Sequence, residues 1–121
     1  MKTINYAWGS EEIWASTDFY AGKTISIYSE YTIPRKECSK RDRTIMVTKG
    51  QIILETDHES NGSKVVTVLN EGTNFRIFRG NSYSIKATKI SDVKLIEVGT
   101  PLHEEFNENV NVEETMHKIC F

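Results

Sequence analysis

The 121-residue sequence predicts an all-β barrel or sandwich. Two observations carry that expectation. Apolar and polar residues alternate in short runs, the period of a strand with one buried face. Between the runs, Gly, Asn and Asp recur at intervals of about eight to twelve residues. "KTISIYSEYTI", Lys23 to Ile33, is the first clear run. "RTIMVTKG" and "QIILET" follow, joined by a turn at Lys49-Gly50. "DHESNGSK", Asp57 to Lys64, is a dense turn signal with Asn61-Gly62 at its tip, a pair suited to the positive φ of tight hairpins. "KVVTVL" reads as the next strand, then Phe75 to Phe78 between Gly72 and Gly80, then Tyr83 to Ala87. "DVKLIEVGTP" is the last, ended by Gly99 and Pro101. From Leu102 the chain turns acidic and then mixed, and "NVEETMHKI" suits one or two helical turns with Asn111 as cap.

A chain of this length builds one core, so residues 1–121 are expected to form a single domain. Fifteen Lys and Arg against seventeen Asp and Glu give a net charge of −2. That leaves no global basic footprint for nucleic acid or a membrane surface. There is no run of eighteen apolar residues, and "MKTINYAWGSEEIW" does not have the basic-then-apolar order of a signal peptide. The expectation is a cytoplasmic protein, with Cys38 and Cys120 as reduced thiols without metal-type spacing. His58, His103 and His117 read as surface residues, and Trp8 and Trp14 as core or interface aromatics.

One stretch is unusual. "IPRKECSKRDRTIMVTKG" packs seven charged residues between Arg35 and Arg43 and runs straight into a strand. Such a cluster is either a solvated loop that protects a sheet edge or the lining of a site.

In order along the chain, "WGSEEIWASTDFYAGKTISI", "RDRTIMVTKG" and "LIEVGTP" resemble segments of the cupins, and more narrowly of the small cupin domain of type II mannose-6-phosphate isomerases. The resemblance covers about residues 8–102, leaving a tail at 103–121. It implies a double-stranded β-helix, or jelly-roll barrel, with a short helical tail. The first cupin motif falls on Glu30, Lys36, Cys38, Arg43 and Gly50, with Glu30 in place of the leading glycine. The second falls on Gly72, Phe78, Gly80, Tyr83 and Ala87. In the family, imidazoles and a carboxylate from these positions hold a divalent metal. Here they read Lys36, Cys38, Arg43 and Tyr83. Lys and Arg offer no lone pair at neutral pH, so the expectation is no metal and no cofactor.

The resemblance points Lys36, Cys38, Arg43 and Tyr83 into the barrel, with Arg76 on a basic rim. Two buried cations require an anion. That anion is either a ligand, such as a sugar phosphate, sugar nucleotide or nucleotide, or one of Glu30, Glu37, Asp42 and Glu55. The leading expectation is a non-catalytic binder of a small anionic molecule. One alternative is a metal-independent sugar isomerase or epimerase with Tyr83 as acid and Lys36 as base. Another is an interaction module with a filled barrel. A homodimer through "NYAWGSEEIW" is also expected.

Overall fold

The computed structural model describes residues 1–37, 39–57 and 62–106. Ten strands form two antiparallel sheets. They are β1 (Lys2–Tyr6), β2 (Gly9–Ser16), β3 (Ala21–Ile27), β4 (Thr32–Lys36), β5 (Arg43–Lys49), β6 (Ile52–Asp57), β7 (Lys64–Leu69), β8 (Asn74–Ile77), β9 (Tyr83–Ala87) and β10 (Val93–Gly99). One sheet runs β1-β2-β3-β10-β5-β8 and the other β4-β9-β6-β7. From β3 onward the chain crosses repeatedly between the sheets, which winds a jelly-roll barrel. One helical turn follows, α1 (His103–Phe106). The turn tip at Asn61 and the expected helix capped by Asn111 lie outside the described residues, as do Cys38, Cys120, His58 and His117.

Alternation explains the core. Ile25 and Ile27 on β3, Ile45 and Val47 on β5, and Val93 and Leu95 on β10 point inward from one sheet. Ile52 and Leu54 on β6 and Ile85 and Ala87 on β9 meet them from the other. Ile45, Ile52, Leu54, Ile77 and Leu95 are fully buried. Each contributes about 1.5–3 kcal/mol relative to exposure.

The structure corrects one expectation. The run Lys23 to Ile33 is two strands in different sheets, β3 and β4. The turn between them contains Glu30 at φ 68, the only non-glycine residue with positive φ among the described residues. A turn carried by Glu shows no turn residue in the sequence, so the alternation reads through it. Strand β1 lies ahead of residue 8 and pairs with β2 at the edge of the six-stranded sheet. The pattern of β1 is exposed on both faces except at Ile4, so it has no burial alternation to detect.

Candidate functional site

The charged end of the barrel is built by the same alternation as the core. On β3 the inward positions are Ala21, Lys23, Ile25 and Ile27, on β10 Val93, Leu95 and Glu97, and on β5 Arg43, Ile45 and Val47. Register sets Lys23 directly across from Glu97, and Gly99 across from Arg43. Three neighbouring strands therefore bring a Lys, a Glu and an Arg to one end of the inner face.

Glu97 is the centre of this group. Its Oε2 lies 3.0 Å from Arg41 Nη1 and 3.8 Å from Lys23 Nζ, and its Oε1 lies 3.4 Å from Arg43 Nη1. Arg43 Nη1 also donates to the Tyr83 hydroxyl at 2.7 Å, and Nη2 donates to Ser39 Oγ at 2.8 Å. The guanidinium carbon sits 5.2 Å from the Tyr83 ring centroid. Arg41 Nε donates to the Thr100 carbonyl at 2.8 Å. Lys23 reaches back to Glu11 Oε2 at 3.3 Å, and Glu11 accepts from the Tyr6 hydroxyl at 3.3 Å. Arg41 is 0% exposed, Arg43 and Glu97 are 2%, and Tyr83 is 3%. Burial pushes the Glu97 carboxyl up, but Lys23, Arg43 and Arg41 outweigh it and hold the group below its ordinary value. Gly99 makes the room for this. A Cβ there would meet the Asp42 carbonyl oxygen at 2.5 Å and Arg41 Nη2 at 3.0 Å.

Of the residues the sequence singles out, Arg43 and Tyr83 do converge. Lys36 ends β4 directly across from Tyr83, yet its side chain is exposed rather than buried in the barrel. A register shift between Ile33 and Lys36 adds a residue to β4 there and breaks its alternation. Arg76 is not on the rim of this group. Ile77 takes the inward position of β8, so Arg76 lies on the outer face, paired with Asp42. His103 is exposed at the start of α1, as expected. Trp8 is buried and stacked on Tyr6 at 4.5 Å, whereas Trp14 is 47% exposed.

The anion that Arg43 requires is none of the four acids expected. Glu37 and Glu55 pair with Arg35, Asp42 pairs with Arg76, and Glu30 is exposed in its turn. Glu97 takes the role, with Arg41, Lys23, Ser39 and Glu11 as further unforeseen members. Glu97 did leave a signal, since it shares the parity of Val93 and Leu95 in "VKLIEV". Arg41 left none, because it lies in the loop before β5, where no period applies.

These residues do not fit a divalent cation. At the positions the resemblance assigns to metal ligands stand the exposed ammonium of Lys36, the buried guanidinium of Arg43 and the phenol of Tyr83. Arg41 adds a second guanidinium beside the one carboxylate, Glu97, which it already engages. A dication here would face two fixed cations at close range. No group of three or more His, Cys, Asp or Glu arranged to hold a metal occurs among the described residues.

No family model matches the chain, and no curated protein matches it by sequence. Solved structures do match. KdgF from Halomonas sp. aligns with TM-score 0.69 at 16% identity, over 84% of this chain and 86% of that one. The cupin domain of Schizosaccharomyces pombe Cnp3 aligns with TM-score 0.67 at 15% identity, over 82% of this chain and 65% of that one. The fold is a cupin barrel. The capsular polysaccharide assembling protein CapF of Staphylococcus aureus aligns with TM-score 0.72 at 12% identity, over 84% of this chain. The cupin barrel described here spans only 28% of the CapF chain. Among the described residues, no helix is long and apolar enough to cross a membrane.

Proposed function

We propose that this chain is a non-catalytic, cytoplasmic binding module that receives a small anionic molecule at the charged end of its barrel. The ligand class is a sugar phosphate, sugar nucleotide or nucleotide, in keeping with the resemblance to the small domain of mannose-6-phosphate isomerases. One observation carries this reading: Arg43 and Tyr83 meet at 2.7 Å, and Lys36 stands exposed directly across from Tyr83. Lys36 then acts as the accessible point charge. Tyr83, 3% exposed and bonded to Arg43, lies buried behind it and shapes the floor under Lys36. Glu97, Arg41 and Arg43 act as a rigid backing that neutralises itself in part, so the direct grip on the ligand falls to Lys36. Cys38 belongs to the same expected lining and lies outside the described residues. Catalysis is disfavoured because the buried Tyr83 hydroxyl is bound to a guanidinium and the proposed base, Lys36, is exposed to water.

Thermal shift against mannose 6-phosphate, glucose 6-phosphate, AMP and UDP-glucose tests this. The melting temperature should rise with at least one of them, and the rise should vanish in Lys36→Ala. If no compound raises it, the anion site is wrong and the interaction-module reading takes its place. That reading has its own support. Strand β1 forms one edge of the six-stranded sheet among the described residues and is mostly exposed. A homodimer formed through this edge is our second proposal. Light scattering should give twice the chain mass, and Ile4→Pro should return it to the monomer.

A further inference from the structure

The outer face of the six-stranded sheet carries a second surface, built differently. Register sets Gly22 beside Val98, Val98 beside Thr44, and Thr44 beside Arg76. Lys23, Glu97, Arg43 and Ile77, the next residue on each strand, are buried, so this row faces outward. A depression of about 360 Å³ opens over it, with Tyr20, Asp42, Thr44, Arg76, Val98 and Gly99 in its lining. That volume is at the low end of the range for small-ligand clefts, roughly 300–1,000 Å³.

Tyr20 lines one side of the depression, and Trp14 lies next to it, over Gly22 at the end of the same row. The benzo end of Trp14 lies over Gly22, so close that a Cβ there would meet Cη2 at 2.4 Å. Its Nε1 donates to Thr24 Oγ1 at 3.2 Å, which fixes the ring while 47% of the residue stays exposed. Tyr20 is 54% exposed and ends a turn pinned by Thr17, whose Oγ1 accepts the amides of Phe19 and Tyr20 at 3.0 Å each. On the other side, Arg76 Nε and Nη2 donate to the two carboxylate oxygens of Asp42 at 3.0 and 2.5 Å. The guanidinium rests 4.4 Å from the centroid of the Phe78 ring. The hydrogen bond from Arg76 holds the Asp42 carboxyl below its ordinary value, so the pair stays ionised and carries no net charge.

We propose that this groove binds a neutral pyranose sugar as part of a disaccharide or longer glycan. A pyranose has apolar C–H faces, which match the rings of Trp14 and Tyr20. It also has vicinal hydroxyls, which both donate and accept. The Arg76–Asp42 pair offers donors and acceptors side by side. Its zero net charge gives a phosphate or an ammonium ion little advantage. An extended peptide could add as a strand only along the β8 edge, which would leave the groove over the interior strands β3, β10 and β5 uncovered. A nucleic acid would need a basic track along the groove, and Arg76 is already neutralised.

The test uses the full chain titrated with neutral disaccharides of glucose, galactose and mannose, and separately with glucose 6-phosphate. Amide and indole shifts are followed by NMR at up to about 10 mM sugar, enough to load a millimolar site. At least one disaccharide should move the Trp14 indole and the Tyr20 amide saturably. Trp14→Ala and Tyr20→Ala should each weaken binding about tenfold or more while a cooperative melt is retained. Lys36→Ala should leave it unchanged, which separates this site from the barrel mouth. The proposal falls if no disaccharide moves Trp14, if the shifts map to Lys36 and Tyr83 instead, or if binding survives loss of both aromatic rings.

Discussion

At one end of the barrel Ile27 lies across from Val93, and Val47 across from Leu95, facing Ile52 and Ala87 of the other sheet. At the other end, on the same strands, Lys23 lies across from Glu97, and Arg43, on the far side of Glu97, bonds to Tyr83 of the other sheet. Both ends obey one alternation and both are buried, yet they hold together differently. The apolar end relies on burial, which is non-directional and tolerates volume-conserving change. The charged end relies on one carboxylate satisfying several cations, which is directional and fails as a unit. Its net contribution to stability is small because desolvation offsets the attraction. Breaking it is costly all the same, because Arg41 and Arg43 would stay buried without the carboxylate that balances them.

Removing Glu97 should therefore have the largest effect. Glu97→Ala leaves Arg41 and Arg43 buried without their shared carboxylate, and urea denaturation should show a loss of about 3–5 kcal/mol. Leu95→Met, two positions away on the apolar side, should cost less than about 1.5 kcal/mol. If the two cost the same, the ends do not differ in the way described. Of the two ends, acid should act on the charged one. The folded-state pKa of Glu97 lies below its ordinary 4.5. Its contribution is therefore fully present above about pH 4.5 and is lost as pH falls through the depressed folded value. Asp42 and Glu104 are also held low, by hydrogen bonds from Arg76 and Arg79. The wild type thus loses stability in acid from several sources. The gap between wild type and Glu97→Gln isolates the buried group, and it should narrow from pH 6 toward pH 3. A gap that stays constant would show that Glu97 carries no linked proton.

Tyr83→Phe is a gentler change at the same end. It deletes the hydroxyl that accepts from Arg43 Nη1 at 2.7 Å and keeps the ring. The expected loss is about 1–3 kcal/mol, since a buried donor loses its shorter partner and keeps Glu97 Oε1 at 3.4 Å. A loss well under 1 kcal/mol would mean that Ser39 and Glu97 hold Arg43 without help from the phenol.

The two ends also differed in how far the sequence revealed them. Strands β5, β6, β9 and β10 were legible because alternating apolar residues mark one face and glycines such as Gly50, Gly72 and Gly80, all at positive φ, mark the turns. The apolar end follows from that pattern directly. Arg43 and Tyr83 were legible as neighbours only through the spacing shared with cupins. Glu97 sits in plain alternation with Val93 and Leu95, yet a lone Glu in a strand usually marks the solvent side. Arg41 could not be found, because a loop residue is buried by where its guanidinium reaches and not by any period. Lys36 was misplaced by a single extra residue in β4, a bulge that leaves no mark in composition.

The smallest effect belongs to the turn that closes the apolar end. Glu30 lies there at φ 68, with its amide donating to the Ala87 carbonyl at 3.1 Å. The left-handed conformation costs a residue with a Cβ roughly 1–2 kcal/mol, and glycine almost nothing. The cupin motif places a glycine at this same position. Glu30→Gly removes the Cβ strain but adds unfolded-state entropy of about 0.4–1 kcal/mol. The balance, read by urea denaturation, should be a small stabilisation of at most about 1 kcal/mol. A destabilised Glu30→Gly variant would show that the Glu30 side chain contributes more to the turn than its strain takes away. The apolar end would then depend on a polar group as well, and the contrast between the two ends would weaken.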